Sequence, residues 1–444
     1  MTRSYLSDLA ARRRFGMKPG LETIAALVRA LGDPQRQFRA VHVAGTNGKG
    51  AVCAILDAVL NECGRGDAAS ARRIGRYTSP HLVRLNERFF LDGAPVGDET
   101  LERLARQVQT AAGRLPDEAA PTFFEALTAV AFLLFAEARV AHAILECGLG
   151  GRLDATNVCA PELCVITKVG LDHCDWLGHT VEQIAAEKAG IVKCGVPVVL
   201  ARNEPSVVEV VRRVAREREA PFHYAPDWAD ESEIPGDFPL PGAFNRENAV
   251  TALAALKVLG RSRVPPPVPA PFFRHPFSGS RIVWPGRFQR VGPFLVDGAH
   301  NPPAARALAA ALSEAVGREA FRPLNLVFGA CGDKDVTEVL RILAPFVRGA
   351  FAVRTNNPRA LAPEALAERM RAVGLEATPC ATLGEALSRA VAGQERAASA
   401  APSVLVCGSL FLAGEALVEL GAYPWPAGRF DPSETLVPRA TRRF

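Results

Sequence analysis

The chain contains 444 residues, more than the roughly 100 to 200 that one compact domain usually holds, so two domains are expected. Hydrophobic residues make up 48% of the chain and charged residues 22%, a balance that excludes disordered and fibrous proteins. The formal net charge of +5 is small for this length and the basic residues are dispersed, which argues against nucleic-acid binding.

Neither a membrane span nor a secretory signal is expected. The longest apolar run, residues 126–136, is far shorter than the roughly 20 residues that cross a bilayer, and it predicts a buried helix. Residues 1–16 contain three consecutive arginines with no apolar stretch behind them. The 10 cysteines form no CxxC pair and no zinc-like spacing, so buried reduced thiols are expected. These features predict a cytoplasmic protein.

Strands and helices alternate through the first 260 residues or so. Apolar runs predict strands at 38–44, 141–147, 163–168 and 196–200. Helical periodicity is present at 49–63, 123–138, 180–192, 206–220 and 245–259. This alternation predicts an α/β fold with a mostly parallel sheet and helices on both faces.

A proline-rich stretch without periodicity, residues 264–276, predicts a linker or a long surface loop. Beyond it, strands are predicted at 294–297, 324–329, 350–354 and 403–407. Helices are predicted at 303–316, 336–346, 363–373 and 383–392. We therefore expect a larger domain over residues 1–280, a smaller α/β domain over 281–430 and an irregular tail over 431–444.

A glycine-rich segment, residues 45–50, lies between the first predicted strand and the first predicted helix. In this context backbone N–H groups and a helix N-terminus bind phosphate. The match to a standard P-loop is poor, because Val43 stands at its first glycine and Gly50 with Ala51 follow the lysine. An ordinary strand-to-helix turn therefore fits the pattern about equally well. Lys49, one of only seven lysines among 52 basic residues, favours the phosphate site.

Polar residues also follow other predicted strands. Glu146 ends one strand just before a flexible glycine-rich turn, and His173 comes shortly after the next. Because ligands bind at the carboxyl ends of parallel strands, these two side chains and a hydroxyl from residues 78–79 are candidates for a Mg²⁺ site. A purely structural role is the commoner one for a lone histidine, and imidazole is an unusual Mg²⁺ ligand.

Lys188 and the segment 297–302 each admit two interpretations. A helical lysine such as Lys188 is by default a surface residue with a solvated amine. If it is buried, its pKa falls and the neutral amine can take up CO₂ as a carbamate, which arginine cannot do. Residues 297–302 (DGAHNP) are either a helix-capping turn or a site for a nucleotide or amino-acid substrate.

Ten motifs together resemble the folylpolyglutamate synthase and dihydrofolate synthase family, a branch of the Mur-type ligases. The resemblance extends over about residues 15–415 and keeps the family's motif order. The motifs are HVAGTNGKG (42–50), YTSPHL (77–82), TFFE (122–125), ECGLGGRLDATN (146–157), LDH (171–173) with LG (177–178), EKAGIVK (187–193), WPGR (284–287), DGAHNP (297–302), DKD (333–335) and GSL (408–410).

The resemblance implies an N-terminal P-loop-type, mostly parallel sheet flanked by helices, plus a smaller C-terminal Rossmann-like α/β domain. It implies an ATP-dependent ligase that joins L-glutamate to dihydropteroate, to reduced folates, or to both. In this chemistry the acceptor carboxylate attacks the γ-phosphate of ATP, and the glutamate amine then attacks the resulting acyl phosphate. ATP and two Mg²⁺ ions are the implied cofactors. A cytoplasmic monomer with small-molecule partners, and with neither nucleic-acid nor membrane partners, is expected.

Matching positions carry over the family's nucleotide and metal residues. The implied ATP phosphate contacts are Gly45, Thr46, Asn47, Gly48, Lys49 and Gly50. The other implied nucleotide contacts are Asn248, Arg287 and Asp297. The implied metal ligands are Ser79, Glu146 and His173, with a carbamylated Lys188 supporting the second ion. His300 is expected at the reaction centre between the domains, and Lys49, Lys188 and His300 are the implied catalytic residues.

The implied pterin pocket comprises two segments, with residues 15–20 at its edge. Its members are Thr122, Phe123, Phe124, Glu125, Leu153, Asp154 and Ala155. Two departures from the family pattern are visible. Ala51 replaces the Ser or Thr that commonly follows GTNGKG, and Phe244 stands where many relatives have histidine. Weaker nucleotide contacts are therefore expected.

Three alternatives remain at this stage. A peptidoglycan-building Mur ligase is disfavoured because only 44 residues precede Gly45, too few for the extra N-terminal domain of those enzymes. A non-catalytic nucleotide-binding paralogue is suggested by Ala51 and opposed by the intact Glu146, His173 and Lys188. A folylpolyglutamate synthase without dihydrofolate synthase activity would use the same machinery; the bifunctional form is favoured.

Overall fold

The computed structural model describes residues 20–65, 73–261, 282–316, 323–332, 335–392 and 402–425. The described residues form two compact units. The first lies within Met1–His81, Leu85–Phe238 and Asn245–Ile282, and the second within Leu82–Arg84, Pro239–Phe244 and Val283–Phe444. The predicted linker and tail, residues 15–19 of the predicted pocket edge, and two residues of the DKD motif lie outside the described residues.

An eight-stranded sheet forms the centre of the first unit. Its strands are β1 (Arg39–Ala44), β2 (Ile74–Tyr77), β3 (Phe89–Leu91), β4 (Ala94–Pro95), β5 (His142–Glu146), β6 (Pro161–Ile166), β7 (Val198–Leu200) and β8 (Phe222–Tyr224). Their order across the sheet is β4-β3-β2-β5-β1-β6-β7-β8. Only the β2–β3 and β3–β4 pairs are antiparallel, so the prediction of a mostly parallel sheet is confirmed.

Helices connect these strands. They are α1 (Glu22–Ala30), α2 (Lys49–Arg65), α3 (Asp98–Ala112), α4 (Phe123–Glu137), α5 (Cys174–Leu177), α6 (Val181–Ala189), α7 (Pro205–Glu217) and α8 (Ala243–Arg261). Short 3₁₀ turns lie at Pro34–Arg36, Leu85–Arg88, Asp117–Ala119, Ala155–Val158, Ala225–Asp227 and Glu231–Glu233. No helix of the described part is long and apolar enough to cross a membrane.

Side chains bury both faces of the first sheet. On one face Ala40, Ala143 and Leu145 join a core formed with α1, α3 and α4. Val41 and Ile144 alternate with them and are also fully buried, and α2 packs against β1, β2 and β5. Helix α4, predicted from its apolar run, is buried along most of its length. Burial on both faces explains why the central strands have continuous apolar sequences.

The second unit is built on a six-stranded sheet with the order β13-β12-β11-β14-β10-β9. Its strands are β9 (Gln289–Val291), β10 (Phe294–Val296), β11 (Leu324–Phe328), β12 (Val347–Ala352), β13 (Ala377–Pro379) and β14 (Val404–Cys407). Its helices are α9 (Pro302–Val316), α10 (Val336–Leu343), α11 (Pro363–Ala372), α12 (Leu383–Val391) and α13 (Leu410–Glu419), with a 3₁₀ turn at Ala344–Phe346. All pairs except β9–β10 are parallel.

Several elements differ from the sequence-based expectation. The predicted helix 336–346 ends at Leu343, because Pro345 cannot donate a backbone hydrogen bond and the chain continues as a 3₁₀ turn. Short elements such as β2, β3 and β13 were not predicted, since three or four residues show too little periodicity. Helices α1, α3, α5 and α13 were also missed. The cysteine expectation is confirmed in its main point: all ten are free thiols, and seven of them are buried.

Candidate active site

The glycine-rich loop 45–50 joins β1 to α2, as predicted. The backbone N–H groups of Thr46 and Asn47 both donate to the carbonyl of Lys168, at 2.8 and 3.2 Å. The Thr46 hydroxyl donates to the Gly170 carbonyl at 3.0 Å and accepts from the Gly170 N–H at 3.1 Å. The segment that follows β6 therefore holds the first half of the loop. The amides of the first turn of a helix such as α2 have no partner within the helix, and in this position they commonly bind phosphate.

Two glycines of this loop allow close approach by neighbouring side chains. Gly45 has φ +151°, and a Cβ there would lie 1.8 Å from the Thr167 hydroxyl oxygen. Gly48 has φ +88°, and a Cβ there would lie 2.2 Å from Oδ1 of Asn248. Asn248 on α8, a predicted nucleotide contact, is thus packed directly against the loop. Thr167 follows β6 and is buried. It was not singled out from the sequence, where only its place directly after a predicted buried strand could have indicated a role.

Lys49 is the first residue of α2, and its amine donates to the Thr46 carbonyl at 3.2 Å. The lysine therefore lies over its own loop, where a phosphate would compete for the same ammonium group. Ala51, the departure from the family pattern, is buried.

Glu146 and Ser79 meet at the carboxyl ends of neighbouring strands. Glu146 is the last residue of β5 and is almost completely buried, and its Oε2 accepts from the Ser79 N–H at 3.0 Å. Ser79 follows β2, which pairs with β5 in parallel. Two of the three predicted metal ligands therefore lie next to each other.

His173 lies at the same edge of the sheet, beyond the end of β6. Its backbone is left-handed, with φ +53°, and its N–H donates to Oδ1 of Asp172 at 3.0 Å. Within the described ranges no three His, Cys, Asp or Glu side chains form a group that could hold a metal by themselves. A carboxylate and a hydroxyl nevertheless suit Mg²⁺, which commonly takes its remaining ligands from nucleotide phosphates and water. The donor set fits that kind of shared site.

Lys188 is buried, with 3% of its surface exposed, so its default interpretation as a surface residue was wrong. Its Nζ donates to the Gly45 carbonyl at 2.9 Å, next to the phosphate loop. Burial lowers the pKa of Lys188 to about 7, and the positive charge of Lys49 contributes in the same direction. A large fraction of this amine is therefore neutral near pH 7.

Close packing of two motifs buries Lys188. A Cβ at Gly151 would lie 2.8 Å from the carbonyl oxygen of Lys188 and 2.9 Å from that of Glu187. The side chain of Asn157 accepts from Lys193 Nζ at 2.8 Å and so joins the same two segments further along. The segment 146–157 lies directly on α6 and the turn after it. Sequence periodicity could not show this contact, because it joins residues about 36 positions apart.

Thr122 and Glu125 form a capping box at the start of α4. The Thr122 N–H donates to Glu125 Oε2 at 2.8 Å, and the Glu125 N–H donates to the Thr122 hydroxyl at 3.3 Å. The T-x-x-E pattern is a known sequence signature of such a cap, so this role was visible in the sequence and was missed. The two side chains that were predicted to bind pterin are thus engaged in starting the helix.

The aromatic residues of the same motif contact other site segments. Phe124 lies 6.1 Å from the ring of Tyr77 between centroids. A Cβ at Gly148 would lie 2.6 Å from the Phe124 ring, so the loop after Glu146 passes directly over it. The ring of Phe123 lies 5.8 Å from the guanidinium carbon of Arg88. These contacts form an aromatic wall beside the glycine-rich turn.

Asp154 holds that turn together. Its Oδ2 accepts from the N–H groups of Gly148 and Leu149 at 2.9 and 3.0 Å, and its Oδ1 accepts from the N–H of Thr156 at 3.0 Å and from its hydroxyl. Its neighbours in the motif differ, since Leu153 is 38% exposed and Ala155 is buried. Leu153 is thus the predicted pocket residue that presents apolar surface to solvent.

In the second unit, Asp297 connects the turn that precedes β9 with the turn that follows β10. Its two carboxylate oxygens accept from the N–H groups of Phe288 and Ala299 at 2.8 and 2.7 Å. Burial raises the pKa of Asp297, and the nearby Arg287 opposes that shift. His300 donates through Nδ1 to the Gly298 carbonyl at 2.9 Å.

The capping interpretation of the DGAHNP segment is borne out at Asn301. Its Oδ1 accepts from the Ala304 N–H at 2.8 Å, directly before α9. Phe288, which was not singled out from the sequence, has φ +50° and lies 6.1 Å from the ring of Phe244, the other departure from the family pattern.

The chain is similar to ATP-dependent ligases over most of its length. Residues 286–410 match the family model described as Mur ligase, glutamate ligase domain. The chain is 35% identical over 381 residues to the dihydrofolate synthase/folylpolyglutamate synthase of Bacillus subtilis, with 80% of this chain and 85% of the relative covered. It therefore belongs to the dihydrofolate synthase/folylpolyglutamate synthase family of ATP-dependent ligases, as its motifs indicated.

Solved structures agree with this assignment. Folylpolyglutamate synthase of Mycobacterium tuberculosis complexed with ADP and AMPPCP matches with a TM-score of 0.81 and 31% identity, covering 95% of this chain and 99% of that one. A bifunctional folylpolyglutamate synthase/dihydrofolate synthase with Mn, AMPPNP and L-glutamate bound matches with a TM-score of 0.78 and 29% identity, covering 95% and 98%. The predicted two-sheet α/β fold is thereby confirmed.

Proposed function

We propose that this protein adds L-glutamate to dihydropteroate and to reduced folates, using ATP and passing through an acyl phosphate. The observation that carries the proposal is the buried Lys188 amine, which lies 2.9 Å from the carbonyl of Gly45 in the nucleotide loop. Glu146 and Ser79 lie together at the ends of two neighbouring strands, β5 and β2, of the same sheet. A lowered-pKa amine beside a phosphate loop is typical of a catalytic centre and unusual in a purely structural one.

The nucleotide loop has the parts that phosphoryl transfer needs. Amides at the start of α2 and the Lys49 ammonium would hold the ATP phosphates, and Asn248 packs against Gly48 of the same loop. We assign Arg287 and Asp297 to the remaining nucleotide contacts on the family resemblance. ATP would activate the acceptor carboxylate: an acceptor oxygen forms a bond to the γ-phosphorus, and ADP leaves.

Ser79, Glu146 and His173 would hold Mg²⁺ ions shared with the nucleotide, two ions in all. Bound there, the ions would neutralise charge on the transferred phosphoryl group. The neutral L-glutamate amine would then attack the acyl phosphate, the amide bond would form with loss of one amine proton, and phosphate would leave with its bonding electron pair. We place ATP and acceptor binding in residues 1–280 and glutamate ligation in 281–430, where the family match lies, with His300 close to the reacting groups.

Lys188 would act as a carbamate. Its neutral amine would add to CO₂ with release of one proton, giving a buried anion that can support the second metal ion. The burial of Lys188 and its lowered pKa favour that reaction, because CO₂ reacts with an amine only when the amine is neutral.

The acceptor would lie along Phe123 and Phe124, with Leu153, Asp154 and Ala155 beside it. Flat aromatic surface at Phe124 and apolar surface at Leu153 suit a pterin and an aminobenzoyl ring. Thr122 and Glu125 would shape this pocket mainly through the capping box. Direct contacts of their side chains with the pterin stay a prediction.

The decisive experiment is glutamate-dependent release of ADP with ATP and Mg²⁺. Dihydropteroate and a reduced folate are tested as acceptors in parallel. Release with both acceptors supports the bifunctional enzyme, and release with the folate alone supports the folylpolyglutamate synthase alternative. Nucleotide binding without release for either acceptor would support the non-catalytic paralogue and overturn the proposal.

We further propose a cytoplasmic monomer. Ten cysteines without a disulfide among them suit a reducing compartment. Sedimentation of the purified protein tests the oligomeric state, since a stable dimer at micromolar concentration would contradict it. Fractionation of the cells that make the protein tests the compartment.

A further inference from the structure

A buried chain of hydrogen bonds runs from the strand that leads into the nucleotide loop to the turn beside the acceptor pocket. His42 on β1 is fully buried, and its Nε2 lies 2.8 Å from the Thr156 hydroxyl and 3.1 Å from the Cys147 Sγ. That hydroxyl also contacts Oδ1 of Asp154. Asp154 in turn accepts the N–H groups of Gly148 and Leu149. Nothing in the sequence motifs assigned a role to His42 or Thr156.

The direction of each proton in this chain follows from the acceptors. The Asp154 carboxylate accepts three backbone N–H groups, those of Gly148 and Leu149 at Oδ2 and that of Thr156 at Oδ1, and three bonds of this kind favour its ionised form against the burial that raises its pKa. The Thr156 hydroxyl donates to that carboxylate, with the Cys147 sulfur as a more distant second acceptor at 3.7 Å, and it therefore accepts from His42. His42 thus carries its proton on Nε2. Burial lowers the pKa of His42 to about 3, so the ring is neutral and has this one N–H.

The other ring nitrogen of His42 makes no hydrogen bond to a described residue, so the ring is held through Nε2. Nδ1 of His42 is buried and has no hydrogen-bond partner in the described part of the chain. An unpaired buried nitrogen is unfavourable, because it loses its hydrogen bond to water and gains none in the protein. A leucine would fill the space without that loss, so the Nε2–H bond is the specific reason for a histidine at this position.

We propose that His42 is a positioning residue for the acceptor site. Through Thr156 and Asp154 it fixes the peptide groups of Gly148 and Leu149, and with them the turn that passes over Phe124. The inference rests on the proposed function, because it assigns that turn to acceptor binding.

The turn tolerates little displacement. A Cβ at Gly148 would be 2.6 Å from the Phe124 ring, and one at Gly150 would be 3.0 Å from Leu177, which follows the predicted metal ligand His173. The nucleotide loop is held by a separate set of bonds from Lys168 and Gly170. Losing the His42 bond should therefore affect the acceptor and spare ATP.

The test compares His42→Leu with His42→Gln, because the glutamine amide nitrogen can take the place of Nε2–H and leucine cannot. In His42→Leu the KM for dihydropteroate should rise by about tenfold or more, while the KM for ATP stays within about twofold. In His42→Gln both values should stay within about threefold. Equal effects of the two substitutions, or a matching rise in the KM for ATP, would overturn the inference.

A second pair of variants, at Thr156, keeps the inference testable if the His42 variants do not fold. Thr156→Val keeps the shape and loses the hydroxyl, and Thr156→Ser keeps the hydroxyl. Hydrogen exchange of the peptide 147–156 should be faster in the valine variant and unchanged in the serine variant; unchanged exchange in both would count against the chain. Exchange needs no turnover, so an inactive wild type overturns the proposed function while the exchange result still decides whether the chain holds the turn.

Discussion

The Nζ of Lys188 lies 2.9 Å from the carbonyl oxygen of Gly45, the first glycine of the nucleotide loop. This bond connects α6 to the loop across 143 positions of sequence. A carbamate on the same nitrogen retains one N–H, so it can keep this bond while it places a negative charge beside the loop. The position of the lysine is thus defined before any modification takes place.

Lys188→Arg should abolish ligation. The guanidinium keeps the positive charge and cannot form a carbamate, so kcat should fall by at least about a hundredfold. Glutamate-dependent ADP release measures the effect. The matched control is Lys193→Arg in the same motif, where the amine only donates to the carbonyl and side-chain oxygens of Asn157 and arginine can do the same. Comparable activity of the two variants would refute the role given to Lys188.

Activity should depend on CO₂ and rise with pH around neutrality. With the pKa of Lys188 lowered to about 7, the neutral fraction grows from roughly a tenth at pH 6 to about nine tenths at pH 8. Degassed, bicarbonate-free enzyme should lose activity, and added bicarbonate should restore it more fully at pH 8 than at pH 6. Activity that is indifferent to bicarbonate at both values would contradict the carbamate.

The same lysine predicts the pH dependence of stability in CO₂-free buffer. The unfolded chain keeps its ordinary lysine pKa of 10.5, whereas the folded state titrates near 7. Between these values the unfolded state binds more protons, so the free energy of unfolding should increase with pH from about 7 upward. Chemical denaturation of the wild type and of Lys188→Met at pH 7 and pH 9 checks this. The increase should be smaller in the variant.

Gly151→Ala should disturb both stability and activity. The added methyl group would meet the backbone carbonyls of Glu187 and Lys188 at 2.9 and 2.8 Å, and backbone atoms cannot move aside cheaply. We expect a loss of about 1 to 3 kcal/mol in unfolding free energy together with reduced turnover. Gly97→Ala is the control, since a Cβ there has open space within 4 Å. Thermal unfolding curves of the two variants should differ clearly.

Glu415→Gln should stabilise the protein above neutral pH. Glu415 on α13 is buried, its Oε1 accepts from the Asn356 N–H at 2.8 Å, and burial raises its pKa to about 7. The folded state therefore holds a proton that the unfolded state loses between the usual 4.5 and 7, and stability falls across that window. The glutamine variant should gain roughly 2 kcal/mol at pH 8 and little at pH 5.

The control for this substitution is Glu385→Gln on α12. The pKa of Glu385 is lowered, chiefly by the Ala381 N–H that it accepts and then by Arg389, so loss of its charge should destabilise slightly at pH 8. The two variants should move in opposite directions in the same melting experiment at pH 8. If Glu415→Gln were less stable than the wild type at pH 8, the ionised carboxylate would stabilise the fold and the prediction would be wrong.

Sequence alone was sufficient for the features that depend on local pattern. The strand, glycine-rich loop and helix around Lys49 could be predicted, and so could the position of Glu146 at the end of a buried strand, because apolar periodicity marks both. The capping box of Thr122 and Glu125 was also available from spacing alone.

Features created by packing between distant segments were not available. Lys188 looks like a surface residue until Gly151 and its neighbours are placed on α6. The hydrogen-bonded chain from His42 to Asp154 joins residues more than 100 positions apart. No window of sequence contains such a contact, and only the fold brings its members together.

The hydrogen bonds that the Thr46 and Asn47 N–H groups donate to the Lys168 carbonyl preorganise the nucleotide loop. A preorganised loop loses little conformational entropy when a ligand binds, so more of the interaction free energy contributes to affinity. Backbone bonds to Lys168 supply part of the shape of the loop, and the Thr46 hydroxyl and the Lys188 amine also contribute to it. Ala51 is compatible with this loop, because the bonds from Lys168, Gly170 and Lys188 that hold the loop involve no atom of residue 51.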